Sequence, residues 1–112
     1  MALYYDLKVY KDVHNLILLL FHGVRTFPRE HKYTIGQDMK RDGIVLVRSL
    51  YRANKAKSKK QYLDEFFDDF EVLKFEIRIC HELRLLTGSK YAEIAALLEE
   101  IGKQVTGWRK SS

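Results

Sequence analysis

Apolar side chains return every third or fourth residue along almost the whole chain, and this period narrows the fold most, because only a helix gathers such positions into one stripe. No stretch alternates apolar and polar residues as a half-buried strand requires, and Pro28 is the only proline. Four helical segments are predicted. The first covers about residues 6–26, with Leu7, Tyr10, His14, Ile17, Phe21 and Val24 as its inner stripe. It stops at Phe27-Pro28, since the residue before a proline is pushed out of the helical region. A loop through His31 leads to Thr34, which with Gln37 has the form of a capping box. That box opens a second helix over residues 34–54, whose inner face is Met39, Gly43, Leu46, Val47 and Leu50. Ser58 and Gln61 repeat the signature and start a third helix, unbroken to Leu86, with Gly88 as its left-handed cap residue. The fourth covers residues 89–109 and buries Tyr91, Ile94, Leu97, Leu98, Ile101, Val105 and Trp108. Short connections between long helices make neighbours antiparallel, so the predicted fold is all-α, an up-down-up-down four-helix bundle forming one domain over residues 1–112.

The third segment carries more apolar surface than one core can take. At about 100° per residue, Phe66, Phe70, Leu73, Ile77 and Cys80 share the stripe that serves the bundle. Val72, Phe75, Ile79, Leu83 and Leu86 collect on a second face turned away from it. A helix apolar on two sides is buried on two sides. The expectation is therefore a homo-oligomer in which a second chain covers this face; the alternative is a splayed bundle that wraps its own fourth helix over it.

Charge is concentrated in one part of the chain. Residues 1–57 hold eleven basic and five acidic side chains, whereas residues 58–112 hold nine and ten, so the overall charge of +5 resides in the first half. Between Lys40 and Lys60 stand Lys40, Arg41, Arg48, Arg52, Lys55, Lys57, Lys59 and Lys60 against Asp42 alone. Arg41, Arg48, Arg52 and Lys55 step by seven, four and three along one ridge of the second helix, and Lys74, Arg78 and His81 form a ridge on the third. An Arg places a planar fork on phosphate oxygens and a Lys a point charge, so a groove or lumen lined by these ridges would hold a nucleic-acid backbone with strong salt dependence and little sequence choice. The competing arrangement pairs them locally, Arg41 with Asp38 or Asp42, and Lys74 and Arg78 with Glu71 and Glu82.

The chemistry of catalysis has little to stand on. No Gly-rich phosphate loop, His-Glu-x-x-His, paired cysteines or nucleophile elbow occurs, so the sequence calls for no cofactor and no metal. His14 and His22 lie two helical turns apart, and the carboxylates between Asp64 and Glu71 lack the Glu-x-x-His partners of a di-metal bundle. Cys80 is the only cysteine, which excludes an intrachain disulfide and fits a reducing cytoplasm. The longest apolar run, residues 16–21, is far short of the roughly 20 residues a bilayer span needs, and residues 1–5 do not read as a secretion leader. Arg25 and His31 have a spacing similar to the Arg-spacer-His motif of HEPN ribonucleases, but Pro28 interrupts the spacer; catalysis by this pair is the enzymatic alternative, and no RNA cleavage is expected.

Phe27-Pro28-Arg29-Glu30-His31, Leu73-Lys74-Phe75-Glu76-Ile77-Arg78, Ile101-Gly102-Lys103 and Gly107-Trp108-Arg109-Lys110-Ser111, in this order and spacing, carry a resemblance over about residues 7–111. The chain resembles the bacterial four-helix-bundle family that includes proteins encoded in large-subunit rRNA intervening sequences, and within it the Avd accessory proteins of diversity-generating retroelements. The intervening-sequence branch carries an Asn-Ile-Ala-Glu-Gly type segment after the second helix, where this chain has Ala53-Asn54-Lys55-Ala56-Lys57. The resemblance implies a non-catalytic pentameric barrel of bundles with a basic lumen. Such a barrel binds template RNA or an RNA/DNA hybrid and the retroelement's reverse transcriptase during mutagenic copying. It places Lys74 and Arg78 among the contact residues, with Glu76 between them a departure in charge. The alternative is an RNA-associated bundle of the intervening-sequence type with no polymerase partner, which neighbouring genes would distinguish.

Overall fold

Val9, Val13, Leu16, Leu20 and Val24 recur at steps of four, three, four and four, and they are the residues that helix α1 (Lys8–Val24) buries. The computed structural model describes residues 3–112. After a 3-10 turn at Tyr4–Asp6, α1 is followed by a one-turn helix α2 (Arg29–Lys32) and by α3 (Ile35–Lys55), α4 (Lys60–Glu82) and α5 (Gly88–Lys110). The four long helices form a ring in which α3 packs on α1 and α4, and α5 packs on α1 and α4. This is the four-helix bundle predicted, drawn out to 44 × 23 × 21 Å. Its core joins Leu16 and Leu20 of α1 to Met39, Leu46 and Leu50 of α3, Phe66, Leu73 and Ile77 of α4, and Ile94 and Ile101 of α5.

The inner stripe expected for α1 is rotated. Tyr10 and Ile17 are only half-buried, His14 and Phe21 are exposed, and Val24 alone of that helix's predicted set is core. The reason lies in residues 16–21, which are apolar on every side, so two neighbouring stripes satisfy the same period and only the packing against α3 and α5 selects between them. Gly43 marks a close approach of α1 and α3, since a Cβ there would stand 3.3 Å from Leu20 Cδ1 and 3.4 Å from Ile17 Cγ1.

The helix ends differ from the predicted signatures in instructive ways. The Thr34 hydroxyl donates back to the Glu30 carbonyl at 2.8 Å, so the capping box with Gln37 does not form and the predicted loop through His31 is helix α2. Nor does Ser58 cap α4, which starts at Lys60. Instead Lys59 Nζ donates to the carbonyls of Ala53, Asn54 and Ala56 at 2.7, 3.2 and 2.8 Å, closing the C-terminus of α3 with a cation where the helix dipole favours one. Helix α4 ends at Glu82 rather than Leu86. Its left-handed residue is Arg84 (φ 61), flanked by Leu85 N–H donating to Cys80 O at 2.9 Å and Arg84 N–H to His81 O at 3.0 Å, the two bonds of a Schellman motif. Gly88 is instead the first residue of α5, whose cap is Thr87, the hydroxyl accepting from Lys90 N–H at 3.1 Å. At the far end Arg109 grips Asp64 through two bonds of 2.6 and 3.3 Å, tying the end of α5 to the start of α4.

Candidate nucleic-acid interface

Because Met39, Gly43, Leu46, Leu50 and Ala53 turn α3 inward, the residues half a turn away face out: Arg41, Ile44, Arg48, Tyr51, Arg52 and Lys55, all exposed. The predicted ridge is therefore a real surface, and it is interleaved with apolar side chains. Lys55 Nζ stands 4.6 Å from the centre of the Tyr51 ring. Arg48 and Arg52 make no ion pair among the described residues, whereas Arg41 lies 3.4 Å from both Asp38 and Asp42. Lys40 leaves this ridge: it is half-buried and turns toward α1, with Nζ 5.1 Å above the Phe21 ring.

On α4 the local pairing foreseen as the alternative is present. Lys74 Nζ meets Glu71 Oε1 at 3.0 Å and Arg78 Nε meets Glu82 Oε1 at 3.0 Å, both in exposed i,i+3 or i,i+4 pairs. Pairs of this kind contribute about 0–1 kcal/mol, so phosphate oxygens can displace the carboxylates at small cost. Lys74 and Arg78 line a cleft of about 550 Å³ between α4 and α5, together with Phe70, Tyr91, Leu98 and Gly102. His81, the third member of that ridge, is stacked on Tyr91 with ring centres 3.9 Å apart. Within one chain the two cationic ridges do not share a groove, because the α3 ridge faces outward while the α4 ridge leans toward α5.

Between the ridges lies the outer face of α4. Val72, Phe75 and Leu83 are 53%, 63% and 50% exposed, and α5 does not wrap over them. Ile79 is half-buried, but Leu86 does not belong to this face. It lies beyond the end of α4, is 7% exposed, and packs into the core toward Gly23, whose added Cβ would stand 3.2 Å from Leu86 Cδ2. The helical count that placed Leu86 on the stripe fails at Arg84, where the chain turns left-handed.

The seam between α3 and α4 holds a carboxyl pair. Burial, then a hydrogen bond to Asp42 and the charges of Asp42 and Asp38, push the Glu76 carboxyl up to about 8, against the pull of Arg41. Glu76 therefore holds its proton well above the ordinary carboxylate range, which weakens its departure from the basic pattern of the segment. Burial likewise raises Asp69, with Arg48 opposing. The Cys80 thiol is pushed up to about 11 by burial and by Glu76, which makes it a packing residue against Met39 Sδ at 3.7 Å.

Among the described residues no group of three His, Cys, Asp or Glu side chains is placed to hold a metal ion, and no helix is long and apolar enough to cross a membrane. Arg25 and His31, the pair with nuclease-like spacing, diverge: His31 lies in α2 with Nε2 3.4 Å from Glu30, while Arg25 lines a cavity whose walls do not include His31. Residues 8–112, nearly the whole chain, match the family described as bAvd-like. The chain belongs to the bAvd-like family. That membership agrees with an Avd-type accessory protein and with the bundle seen here. No curated protein matches the chain. In this bAvd-like protein the candidate interface is thus an α3 ridge of Arg41, Arg48, Arg52 and Lys55, a separate pair Lys74 and Arg78 on α4, and an apolar stripe between them.

Proposed function

We propose that this bAvd-like protein is a non-enzymatic accessory protein of a diversity-generating retroelement. It binds template RNA or an RNA/DNA hybrid through its cationic helix ridges and associates with the retroelement reverse transcriptase to support mutagenic cDNA synthesis. The observation that carries the reading is the outward face of α3, where four cations stand among Ile44 and Tyr51 and two of them, Arg48 and Arg52, form no ion pair among the described residues. Family membership supports the accessory role.

Assembly is part of the same proposal. Covering Val72, Phe75, Ile79 and Leu83 with a second copy would remove the apolar stripe from water at roughly 25 cal/mol per Å² buried. The expected assembly is the pentamer that the Avd resemblance implies. The test is a binding titration of RNA, DNA and RNA/DNA hybrid over a salt series, together with affinity capture of the retroelement reverse transcriptase. Binding that weakens linearly in log salt, with capture of the polymerase, is expected; salt-independent binding or no capture would refute the reading.

A further inference from the structure

At the corner where α1 ends and α3 begins, three elements enclose a cavity of about 480 Å³ that belongs to neither cationic ridge. Its walls bring together Arg25 from the end of α1, Lys32 from α2 and Lys40 from α3, with His22 beside them and the rings of Phe21 and Tyr33. Among the described residues no carboxylate lines it. That distinguishes it from the α4–α5 cleft, where Glu71 and Glu99 share the walls with Lys74 and Arg78. Arg25, Lys32 and Lys40 make no ion pair among the described residues, and Lys40 Nζ instead rests 5.1 Å over the Phe21 ring. Unlike Arg41, Lys74 and Arg78, these cations have no carboxylate to give up before they meet an anion.

The aromatic part is equally open. Tyr33 is 65% exposed and Phe21 38%, values large enough to leave ring surface free for stacking. The corner is also held in shape. Thr34 Oγ1 donates to Glu30 O at 2.8 Å, fixing the turn that carries Lys32 and Tyr33. Gly36 allows α3 to start against α1, since a Cβ there would come within 2.8 Å of Val24 Cγ1 and 3.0 Å of the His31 carbonyl. A preformed pocket of this size, with convergent cations and aromatic faces, suits a ligand that is anionic at one end and flat at the other.

We propose that this corner binds one nucleotide unit of a single-stranded nucleic acid, its phosphates on Arg25, Lys32 and Lys40 and its base stacked on Tyr33 and Phe21. The proposal rests on the nucleic-acid reading above and adds a site that prefers unpaired bases, because a base inside a duplex has no free face to offer. Lys40 is the residue it shares with the nucleic-acid-binding candidates named from the sequence.

The test measures fluorescence anisotropy of three labelled probes on the full chain: a single-stranded oligonucleotide, an abasic strand of equal length and a duplex. Tyr33→Ala is expected to weaken the base-bearing strand roughly tenfold while leaving the abasic strand and the duplex unchanged, and Tyr33→Phe to retain binding. The double variant Arg25→Gln, Lys32→Gln is expected to weaken the base-bearing and abasic strands together and to flatten their salt dependence by about 1.4 in log–log slope. Equal binding of base-bearing and abasic strands by the unaltered chain, or no effect of Tyr33→Ala, would overturn the stacking site while leaving the ridges as the binding surface. Failure of the unaltered chain to bind any probe at low salt would instead refute the nucleic-acid reading on which the site depends.

Discussion

Replacing Glu76 by Gln probes the buried seam directly. In the folded chain the Glu76 carboxyl keeps its proton up to about pH 8, against 4.5 for an ordinary Glu, because it is desolvated between α3 and α4 and hydrogen-bonded to Asp42. The unfolded chain has released that proton by about pH 6. Folding between these two values takes up a proton, so the stability Glu76 confers is complete below about pH 4.5, declines as pH climbs through the window and levels off above pH 8. Taken at face value, a shift from 4.5 to about 8 at 1.36 kcal/mol per unit would be nearly 5 kcal/mol. Glu76 is only half-buried and water screens it, so about 2 kcal/mol is the magnitude to expect. The amide introduced by Glu76→Gln cannot titrate and can still donate to Asp42. Only the part of that loss above pH 6, a little over half of it, falls between about pH 6 and about pH 9, so thermal unfolding of both proteins over this range should show the unaltered chain losing about 5 °C relative to the variant, taking roughly 4 °C per kcal/mol at this chain length. Asp38 and Arg41, the other charges facing the pair from α3, are the same in both proteins and contribute alike to the two curves, whereas Asp42 shares the Glu76 proton and belongs to the measured difference. Melting curves that fall in parallel would refute the shared proton.

Lys74→Ala with Arg78→Ala should reduce nucleic-acid affinity and lower its salt slope while leaving the melting temperature within a few degrees, because both cations sit in exposed pairs; unchanged affinity at low salt would remove them from the interface. Phe75→Glu should yield a folded monomer by sedimentation, since a charge at a 63% exposed position costs the isolated chain little but is expensive once buried between copies; an assembly of unchanged size would show that the stripe is not the contact. Arg84→Gly should stabilise the chain by about 1 kcal/mol in denaturant unfolding, because glycine adopts φ 61 without the Cβ penalty that Arg bears; a loss of stability would mean that the Arg84 side chain contributes more than its strained backbone costs.

Helices α3, α4 and α5 were legible because each has one clear inner stripe: Met39, Leu46 and Leu50, then Phe66, Leu73 and Ile77, then Ile94, Leu98 and Ile101. The α1 stripe was not, because its apolar residues surround the helix and only its neighbours choose the face. Caps failed where a competing bond was available to the same side chain, as at Thr34, or where an unfavourable residue was forced into the left-handed region, as at Arg84. Arg41, Arg48, Arg52 and Lys55 could be placed from spacing alone, since they need only face away from a core that the period defines, whereas Lys40 turns toward α1. The corner cavity could not, because Arg25, Lys32 and Lys40 stand on three elements whose meeting depends on the turn after Pro28 and on the absence of a side chain at Gly36. The same limit applies between copies. Lys74 and Arg78 lie along one margin of the α4 stripe and the α3 ridge along the other, so a single bundle keeps them apart. In the assembly proposed above, burying the stripe against another copy would bring one chain's margin beside its neighbour's, so that assembly would turn the separate ridges into one continuous cationic surface.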